Sequence, residues 1–427
     1  MKLKTKQFAI AMAAALDLMS GAALGEDFDL YVSGGATAHA PNVLLFLDNT
    51  SNWSAANQKW EKTTVWNKCG GDTTCLDYVD KVFGLNTDLK QGQVELRAIK
   101  LVLNELVCNS ATTPLKVNVG LMLISDKGTA DGNSNAGGYI RRAIKLLDPT
   151  QCAALIGDLD LIDSEITNPL YKTPSSADYG TPLYEAFKYY GGYANPTQAQ
   201  QGLGGTPTDN THFGPPRYVN ANGQEDVNAF TSAAKTNYQS PISATNSCGK
   251  NYLILVGNTW PNQEYGTNQN ANPPTNTLMT RLGYSPTQIY ATSKSDIRFG
   301  DEWTQFLAST DVSSQSGQQP VFTYTLNVYN ASADDAQRTL LKSMANVGGT
   351  GAGGYFEVGG DLKKLVDAFK EIFIEIAAVN SVFASASLPI SVNTQGTYLN
   401  QVFIGMFRPD SDARPRCGQS EAVSVFL

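Results

Sequence analysis

Short apolar runs alternate along this chain with longer segments that repeat apolar residues at helical spacing. The short runs are apolar at nearly every position, which is typical of strands buried on both faces of a parallel sheet. We predict strands at residues 42–47, 116–125, 139–148, 251–256, 321–329 and 355–358. We predict helices at residues 93–107, 182–190, 334–345 and 361–379. This alternation predicts an α/β fold with a doubly wound, mostly parallel sheet over residues 42–379.

Two segments depart from this pattern. Residues 195–247 are rich in Gly, Thr, Asn, Gln and Pro, and we interpret them as a long polar insertion outside the core. Residues 380–427 include SLPISVNTQGTYLNQVFIGMFRPD, in which apolar and polar residues alternate around Gln395-Gly396. That spacing predicts a β-hairpin segment appended to the α/β domain.

The amino terminus has the pattern of a signal peptide. A basic MKLKTK precedes the mostly apolar QFAIAMAAALDLMSGAALG, and Ala23-Leu24-Gly25 is a small-x-small cleavage site. A membrane anchor is the alternative, but Asp17 interrupts an apolar stretch that is already short for a span of about 20 residues. We therefore predict a signal peptide at residues 1–25, a mature segment at 26–41 and export to the periplasm or the outer membrane surface.

Composition narrows the function classes. A hydrophobic content of 42% supports a packed core. Only 16% of residues are charged and the net charge is −8, which argues against nucleic acid as a partner because phosphate binding needs clustered Lys and Arg.

The chain has six cysteines. Cys69 and Cys75 bracket the Gly-containing loop GGDTT, and a disulfide closing that loop is the interpretation we favour. Zinc is the alternative, but the chain has two histidines and no paired Cys-x-x-Cys ligand sets. The sequence leaves the other pairings open.

The candidate site lies in NVLLFLDNTSNWS. An apolar strand runs directly into Asp48, followed by Thr50 and Asn52. Ligands of open α/β sheets bind at the carboxyl ends of the strands, and hard cations prefer oxygen ligands from carboxylates, hydroxyls and carbonyls. The strand is therefore a candidate for placing oxygen donors around a divalent cation; the alternative is a loop that only caps the strand.

LFLDNTSN resembles the metal-ion-dependent adhesion site of von Willebrand factor A-type domains, Asp-x-Ser-x-Ser. The resemblance implies Asp48, Thr50 and Asn52 as metal ligands, and Thr181 of YGTPLYEAF as a further one. In ILVGNTWPN, Asn258 stands where the family has Asp. The implied cofactor is Mg²⁺ or Ca²⁺, weakly bound, because loss of one carboxylate weakens an oxygen site by roughly an order of magnitude or more.

Several segments together resemble the N-terminal half of PilY-type proteins of type IV pili: DFDLYVSGGATAHAPNVLLFLDN, CGKNYLILV, LLKSMANVGGTGAGGYFEV and the hairpin segment. The resemblance implies a pilus adhesion or assembly role at the pilus tip or cell surface. The implied partners are pilus subunits or minor pilins and a host or abiotic surface ligand.

In the PilY-type family this half leads into a C-terminal β-propeller, and the resemblance leads us to expect that the propeller is missing here. The last residues of this chain, 417–427, read CGQSEAVSVFL, and our hypothesis is that GQSEAVSV is a frameshifted reading of a family continuation like GNLKQYR. A separate chain bearing the propeller is a further expected partner.

Three functions compete at this point. The first is a non-enzymatic, exported adhesion or assembly module. The second is a secreted metal-dependent hydrolase, although the chain has neither a Gly-x-Ser-x-Gly elbow nor a His-Glu-x-x-His motif. The third is a truncated gene fragment without full function. We favour the first.

Overall fold

The structure is a computed structural model that describes most of the predicted α/β domain. The predicted signal peptide and the C-terminal hairpin segment lie outside the described residues, as do Cys248 and Cys417. The described residues are 39–50, 52–109, 114–124, 138–172, 179–193, 224–235, 237–244, 246, 249–258, 260–261, 279, 283–285, 289, 299–328 and 335–379.

Six strands in the described residues form one sheet. In chain order the described strands β1 to β8 are Asn42–Leu47, Lys59–Glu61, Asp88–Lys90, Asn118–Ile124, Gly138–Leu146, Asn251–Gly257, Val321–Asn327 and Tyr355–Glu357. The main sheet has the order β5-β4-β1-β6-β7-β8, and only the edge strand β5 pairs antiparallel. Strands β2 and β3 form a separate antiparallel pair. The predicted α/β fold with a mostly parallel sheet is confirmed.

Helices cover both faces of this sheet. In chain order the described helices α1 to α8 are Lys62–Lys68, Thr73–Phe83, Gln91–Leu103, Pro149–Ser164, Gly180–Gly191, Gly300–Ser309, Asp335–Ala345 and Leu362–Val379. Apolar side chains of α2, α3, α4 and α8 pack in one hydrophobic cluster, face A, and those of α5, α6 and α7 in the other, face B. A helical layer on each face is the arrangement that lets a parallel sheet be apolar throughout.

Strand β1 supplies both hydrophobic clusters. Val43, Leu45 and Leu47 pack into face A, whereas Leu44 and Phe46 pack into face B, and all five side chains are fully buried. Successive side chains of a strand point to opposite faces, so a strand at the centre of a two-sided sheet must be apolar at every position. This explains the uninterrupted NVLLFL.

The sequence missed four helices: α1, α2, α4 and α6. Helix α4 begins at Pro149 with Asp148 as its N-cap, so the acidic residues of GDLDLIDSE lie in its C-terminal half and not at its start. Asp158 instead pairs with Arg141, 2.5 Å away, and with Arg142 of β5. Ion pairing across elements, rather than the helix dipole, accounts for this acid.

Part of the predicted polar insertion packs against the core. Among residues 224–244, Phe230, Tyr238 and Ile242 are buried within face B. The Asp226 carboxylate accepts a hydrogen bond from the Ala143 N–H of the edge strand β5 (2.9 Å). Those aromatic residues lie among polar neighbours, and the insertion interpretation therefore fails for this stretch.

Two disulfides lie within the described residues. Cys69 and Cys75 are joined, with their Cα atoms 5.5 Å apart, across the turn that leads into α2. Cys108 and Cys152, which the sequence left unassigned, join the end of the α3 segment to α4. Disulfides of this kind persist in oxidising compartments. No helix in the described part of the chain is long and apolar enough to span a membrane.

A row of asparagines sets the register at the amino ends of the three central strands. Asn42 pairs in register with Asn118 on one side and Asn251 on the other. Its Nδ2 donates to Asn251 Oδ1 and its Oδ1 accepts from Asn118 Nδ2, both at 2.9 Å. Asn42 and Asn251 are almost fully buried. A shift in register would leave these polar groups unpaired.

We expect Asn42→Ala to lower the free energy of unfolding by about 1–3 kcal/mol, because it leaves buried carboxamide groups of its neighbours without a partner. Urea denaturation measures this cost. The matched control is Asn109→Ala, an exposed asparagine bonded to Asn104, for which a change within about 0.5 kcal/mol is expected. Equal small effects from both variants would contradict the register role.

Two adjacent carboxyl groups, Asp301 and Glu302, are fully buried at the start of α6. Ser343 Oγ donates to Asp301 Oδ2 (2.6 Å), and the Ile289 N–H donates to Glu302 Oε1 (2.7 Å). Burial, together with the hydrogen bond and charge of Asp301, raises the pKa of Glu302 to about 9. Glu302 is therefore protonated in the folded protein at neutral pH.

We expect Glu302→Gln to change how stability depends on pH. The glutamate loses its proton near its ordinary pKa of 4.5 in the unfolded chain and near 9 in the folded protein, so wild type loses stability as pH rises between those values. Its slope is at most about 1.4 kcal/mol per pH unit. Glutamine does not titrate, so the free energy of unfolding of the variant should increase relative to that of wild type as pH rises. Urea denaturation from pH 5 to 9 measures it, with the exposed Glu371→Gln as control; parallel curves would contradict the assignment.

Candidate cation site at the carboxyl edge of the sheet

The candidate site lies where the strand order reverses. Strands β1 and β6 are neighbours, but the helices that follow β1 pack on face A, whereas α6, the next described helix after β6, packs on face B. Chain segments that diverge in this way leave a crevice at the carboxyl ends of the two strands, where α/β proteins bind ligands. Asp48 follows β1 and Asn258 follows β6, so the crevice begins between these two residues.

Asp48 is fully buried and holds several hydrogen bonds. Its Oδ1 accepts from the backbone N–H of Thr50 (3.2 Å) and from the Thr50 hydroxyl. Its Oδ2 accepts from the Tyr179 hydroxyl (2.8 Å) and from the backbone N–H of Asn258 (3.3 Å). The carboxylate therefore gathers the end of β1, the end of β6 and the start of α5 around itself.

Asn258 takes a position next to Asp48 that the resemblance assigns to a carboxylate. Its Nδ2 donates to the backbone carbonyl of Asp48, while its buried Oδ1 has no hydrogen-bond partner among the described residues. Asn52, half-buried, donates from its Nδ2 to the Asn258 carbonyl (2.8 Å). A carbonyl oxygen without a donor is costly in a buried place, and it is an acceptor that a cation could satisfy.

Asn49, which sequence reasoning passed over, fixes the loop in place. Its carboxamide donates to the Ile124 carbonyl (3.0 Å) and to the Tyr171 carbonyl (2.9 Å), and accepts from the Ile124 N–H (2.9 Å). The side chain thereby imitates a strand pairing beyond the end of β4. The signal was present in the sequence, since Asn directly follows Asp48 in LDNTSN.

The start of α5 reaches the site through Tyr179. Thr181, the predicted ligand, lies in the first turn of α5, and its side chain is outside the described residues. Tyr179 precedes that helix, packs edge-on against Phe46 of β1 and donates its hydroxyl to Asp48. Gly257 makes room for it, because a Cβ there would lie 3.0 Å from Tyr179 Oη. The β1 and α5 regions thus meet, although 131 residues separate Asp48 from Tyr179.

Burial dominates the electrostatics of the site. Desolvation raises the pKa of Asp48, and the hydrogen bonds from Thr50, Tyr179 and Asn258 partly offset it. Burial, and then the charge of Asp48, raises the pKa of Tyr179 well above its ordinary value. Tyr179 is therefore a neutral donor toward Asp48 and is not itself ionised.

A second buried carboxyl group belongs to this region. Glu95 of α3 is fully buried, and its Oε1 accepts from Gln91 Nε2 (3.1 Å). Burial raises the pKa of Glu95 well above its ordinary value and the charge of Asp48 raises it further, so the two groups lie within electrostatic reach. Sequence reasoning missed Glu95, although a charged residue four positions before Ile99 on an apolar helix stripe was a readable signal.

The donor chemistry of the site fits a hard divalent cation. Asp48, Thr50 and Asn258 supply a carboxylate, a hydroxyl and an amide oxygen that are all buried, and Asn258 Oδ1 has no partner in the described structure. Within the described residues no group of three or more His, Cys, Asp and Glu side chains is placed to hold a metal. Neutral oxygens would therefore have to complete any coordination, as the resemblance implies.

No protein-family model and no curated protein matches this sequence. Among solved structures it is similar to proximal thread matrix protein 1 of the mussel byssus, in one crystal form and with a zinc-occupied MIDAS motif, at 9% identity and a TM-score of 0.32. It is also similar to the human COPII-coat protein Sec24c, at 8% identity and a TM-score of 0.29. Each match covers 79% of this chain, and 48% and 32% of the respective neighbours. The chain spans less than half the length of these proteins.

The strand order and the site define the class of this domain without help from those distant matches. A central strand with an Asp at its carboxyl end, parallel neighbours on both sides and one antiparallel edge strand form a doubly wound, mostly parallel α/β domain.

We expect Tyr179→Phe to tighten divalent-cation binding, because the Tyr179 hydroxyl competes for Asp48 Oδ2. A hydrogen bond to a charged group contributes about 1.5–3 kcal/mol, so a gain of about tenfold in Mn²⁺ affinity is expected. Isothermal titration calorimetry measures it. Tyr190→Phe is the matched control, since this buried tyrosine of α5 donates to the Tyr252 carbonyl instead. Unchanged or weaker Mn²⁺ binding by Tyr179→Phe would show that the hydroxyl does not compete with the cation for Asp48.

Proposed function

We propose that this chain is a non-enzymatic, exported adhesion or assembly module that binds a partner through a divalent cation at the carboxyl edge of its sheet. The observation that carries the proposal is the buried Asp48 at the switch point, beside an Asn258 oxygen without a partner. A cation held there by protein oxygens on one side keeps a coordination position that an oxygen of the partner fills.

A binding role suits the described side chains better than a catalytic one. The four described cysteines are consumed by disulfides. His39 lies before β1, at the opposite end of that strand from Asp48. Asp48 accepts hydrogen bonds from fixed donors on three chain segments, which suits a group that holds a ligand in place more than one that must exchange protons.

We further propose that the protein is exported and associates with type IV pili. The two disulfides fit an oxidising compartment, and the N-terminal pattern supports a signal peptide. The association with type IV pili rests on the resemblance of several sequence segments to PilY-type proteins. Pilus subunits, minor pilins or a surface ligand are the proposed partners.

We expect the purified protein to bind type IV pili, sheared from the organism that carries this gene, in a cation-dependent way. Surface plasmon resonance in 1 mM Mg²⁺, then in excess chelator, then after Mg²⁺ is restored, measures it. Chelator should reduce binding by about tenfold or more and Mg²⁺ should restore it, because the cation supplies the contact. Asp48→Asn should behave like chelated wild type.

Asp160→Asn, a change at an exposed residue of α4 paired with Lys100, is the matched control and should bind as wild type does. Binding that chelator leaves unchanged would remove the cation from the mechanism and leave the adhesion role. Absence of binding to pili in every condition would overturn the pilus association.

A further inference from the structure

We infer that Glu95 is the second carboxylate of this cation site and supplies the negative charge that Asn258 lacks. The inference rests on the proposed function, since it assigns a residue to the same site. It is drawn from the burial of Glu95, its unpaired oxygen and the contact between α3 and the loop after β1.

Glu95 is buried without the partners that a buried carboxylate needs. Its side chain is fully buried; among the described residues, Oε1 accepts only from Gln91 and Oε2 has no hydrogen-bond partner. None of the ion pairs in the described structure includes Glu95 or Asp48. Two buried acids without a basic partner are costly, and buried charges in proteins are ordinarily paired or bound to metal.

The start of α3 is held against the loop that carries Asp48. The Gly92 N–H donates to the Trp53 carbonyl (2.9 Å), and a Cβ at Gly92 would lie 2.5 Å from the Trp53 ring. This close approach brings the first turns of α3, with Gln91 and Glu95 one turn apart, to the edge where β1 ends. Gln91 Oε1 is also buried without a partner.

Among the described residues, three buried oxygens near this loop have no hydrogen-bond partner. Asn258 Oδ1 lies beside Asp48, and Glu95 Oε2 and Gln91 Oε1 belong to the first turns of α3, which pack on Trp53. A divalent cation would balance the charges of ionised Asp48 and Glu95. It would also give these oxygens a positively charged partner. Oxygen donors with two carboxylates suit Mg²⁺, Mn²⁺ or Ca²⁺.

The test is Mn²⁺ binding by isothermal titration calorimetry to the full chain and to charge variants. Glu95→Gln keeps the shape and removes the charge, and it should weaken binding by about tenfold or more, since ligand charge sets affinity in oxygen sites. The double variant Glu95→Gln with Asn258→Asp moves the charge to the neighbouring strand end and should recover most of the affinity. Glu302→Gln, a buried glutamate packed on face B, is the matched control and should bind as wild type does.

Thermal unfolding gives a second readout that a merely structural Glu95 would not produce. In chelator, Glu95→Gln should unfold at a higher temperature than wild type, because it removes a buried carboxyl group that has no basic partner among the described residues. In saturating Mn²⁺ the order should reverse, because wild type binds the ion more tightly. Glu95→Asp, which keeps the charge on a shorter side chain, replaces the Gln variant in both measurements if the latter does not fold.

The outcomes separate this inference from the proposed site. Wild type and Glu95→Gln binding Mn²⁺ equally, with Asp48→Asn not binding, would overturn the role of Glu95 and leave the site itself standing. Wild type that binds no Mn²⁺ at millimolar concentration would overturn both. Loss of binding in Glu95→Gln without recovery in the double variant would overturn the charge argument.

Discussion

Burial of β1 on both faces of the sheet is the constraint on which the rest of the structure depends. Its five apolar side chains after Asn42 divide between the two hydrophobic clusters, so the strand can occupy only the centre of the sheet. The asparagines at its amino end hold it in register with both neighbours. Once the strand is central and in register, Asp48 has one position available, at the crevice where the chain diverges to the two faces.

The position of Asp48 creates an electrostatic problem that the protein solves only in part. Hydrogen bonds from Thr50, Tyr179 and Asn258 stabilise the carboxylate, but no lysine or arginine of the described structure forms an ion pair with it. Glu95 adds a second acid nearby and Asn258 an oxygen without a donor. A closed core that lacked a ligand would favour an apolar residue at these places, because removing buried polar groups in pairs costs little. The presence of these buried acids is the physical reason for interpreting the carboxyl edge of the sheet as a binding site.

The excursion between β1 and α3 positions the site although it lies outside the main sheet. The excursion between β1 and α3 contains the small β2–β3 pair, two helices and the Cys69–Cys75 disulfide, and it returns the chain so that Gly92 meets Trp53. Trp53 and Trp60, which both lie in this excursion, are buried in face A. These side chains therefore support the loop after Asp48 by packing.

Periodicity alone determined the fold class. Fully apolar strands must be covered on both faces of the sheet, and helices with one apolar face can cover them. Periodicity also placed Asp48 and Thr50 at the end of β1, since residues at strand ends follow directly from strand bounds, whereas Asn258 came from the resemblance to von Willebrand A-type domains. Helices α1, α2, α4 and α6 escaped it, and the aromatic part of residues 224–244 was read as insertion, because their apolar residues are interrupted by polar ones. Tyr179 and Glu95 needed tertiary structure. Tyr179 precedes α5 and Glu95 lies in α3, both distant from Asp48 in sequence, and only packing decides which buried side chain lies near a given crevice.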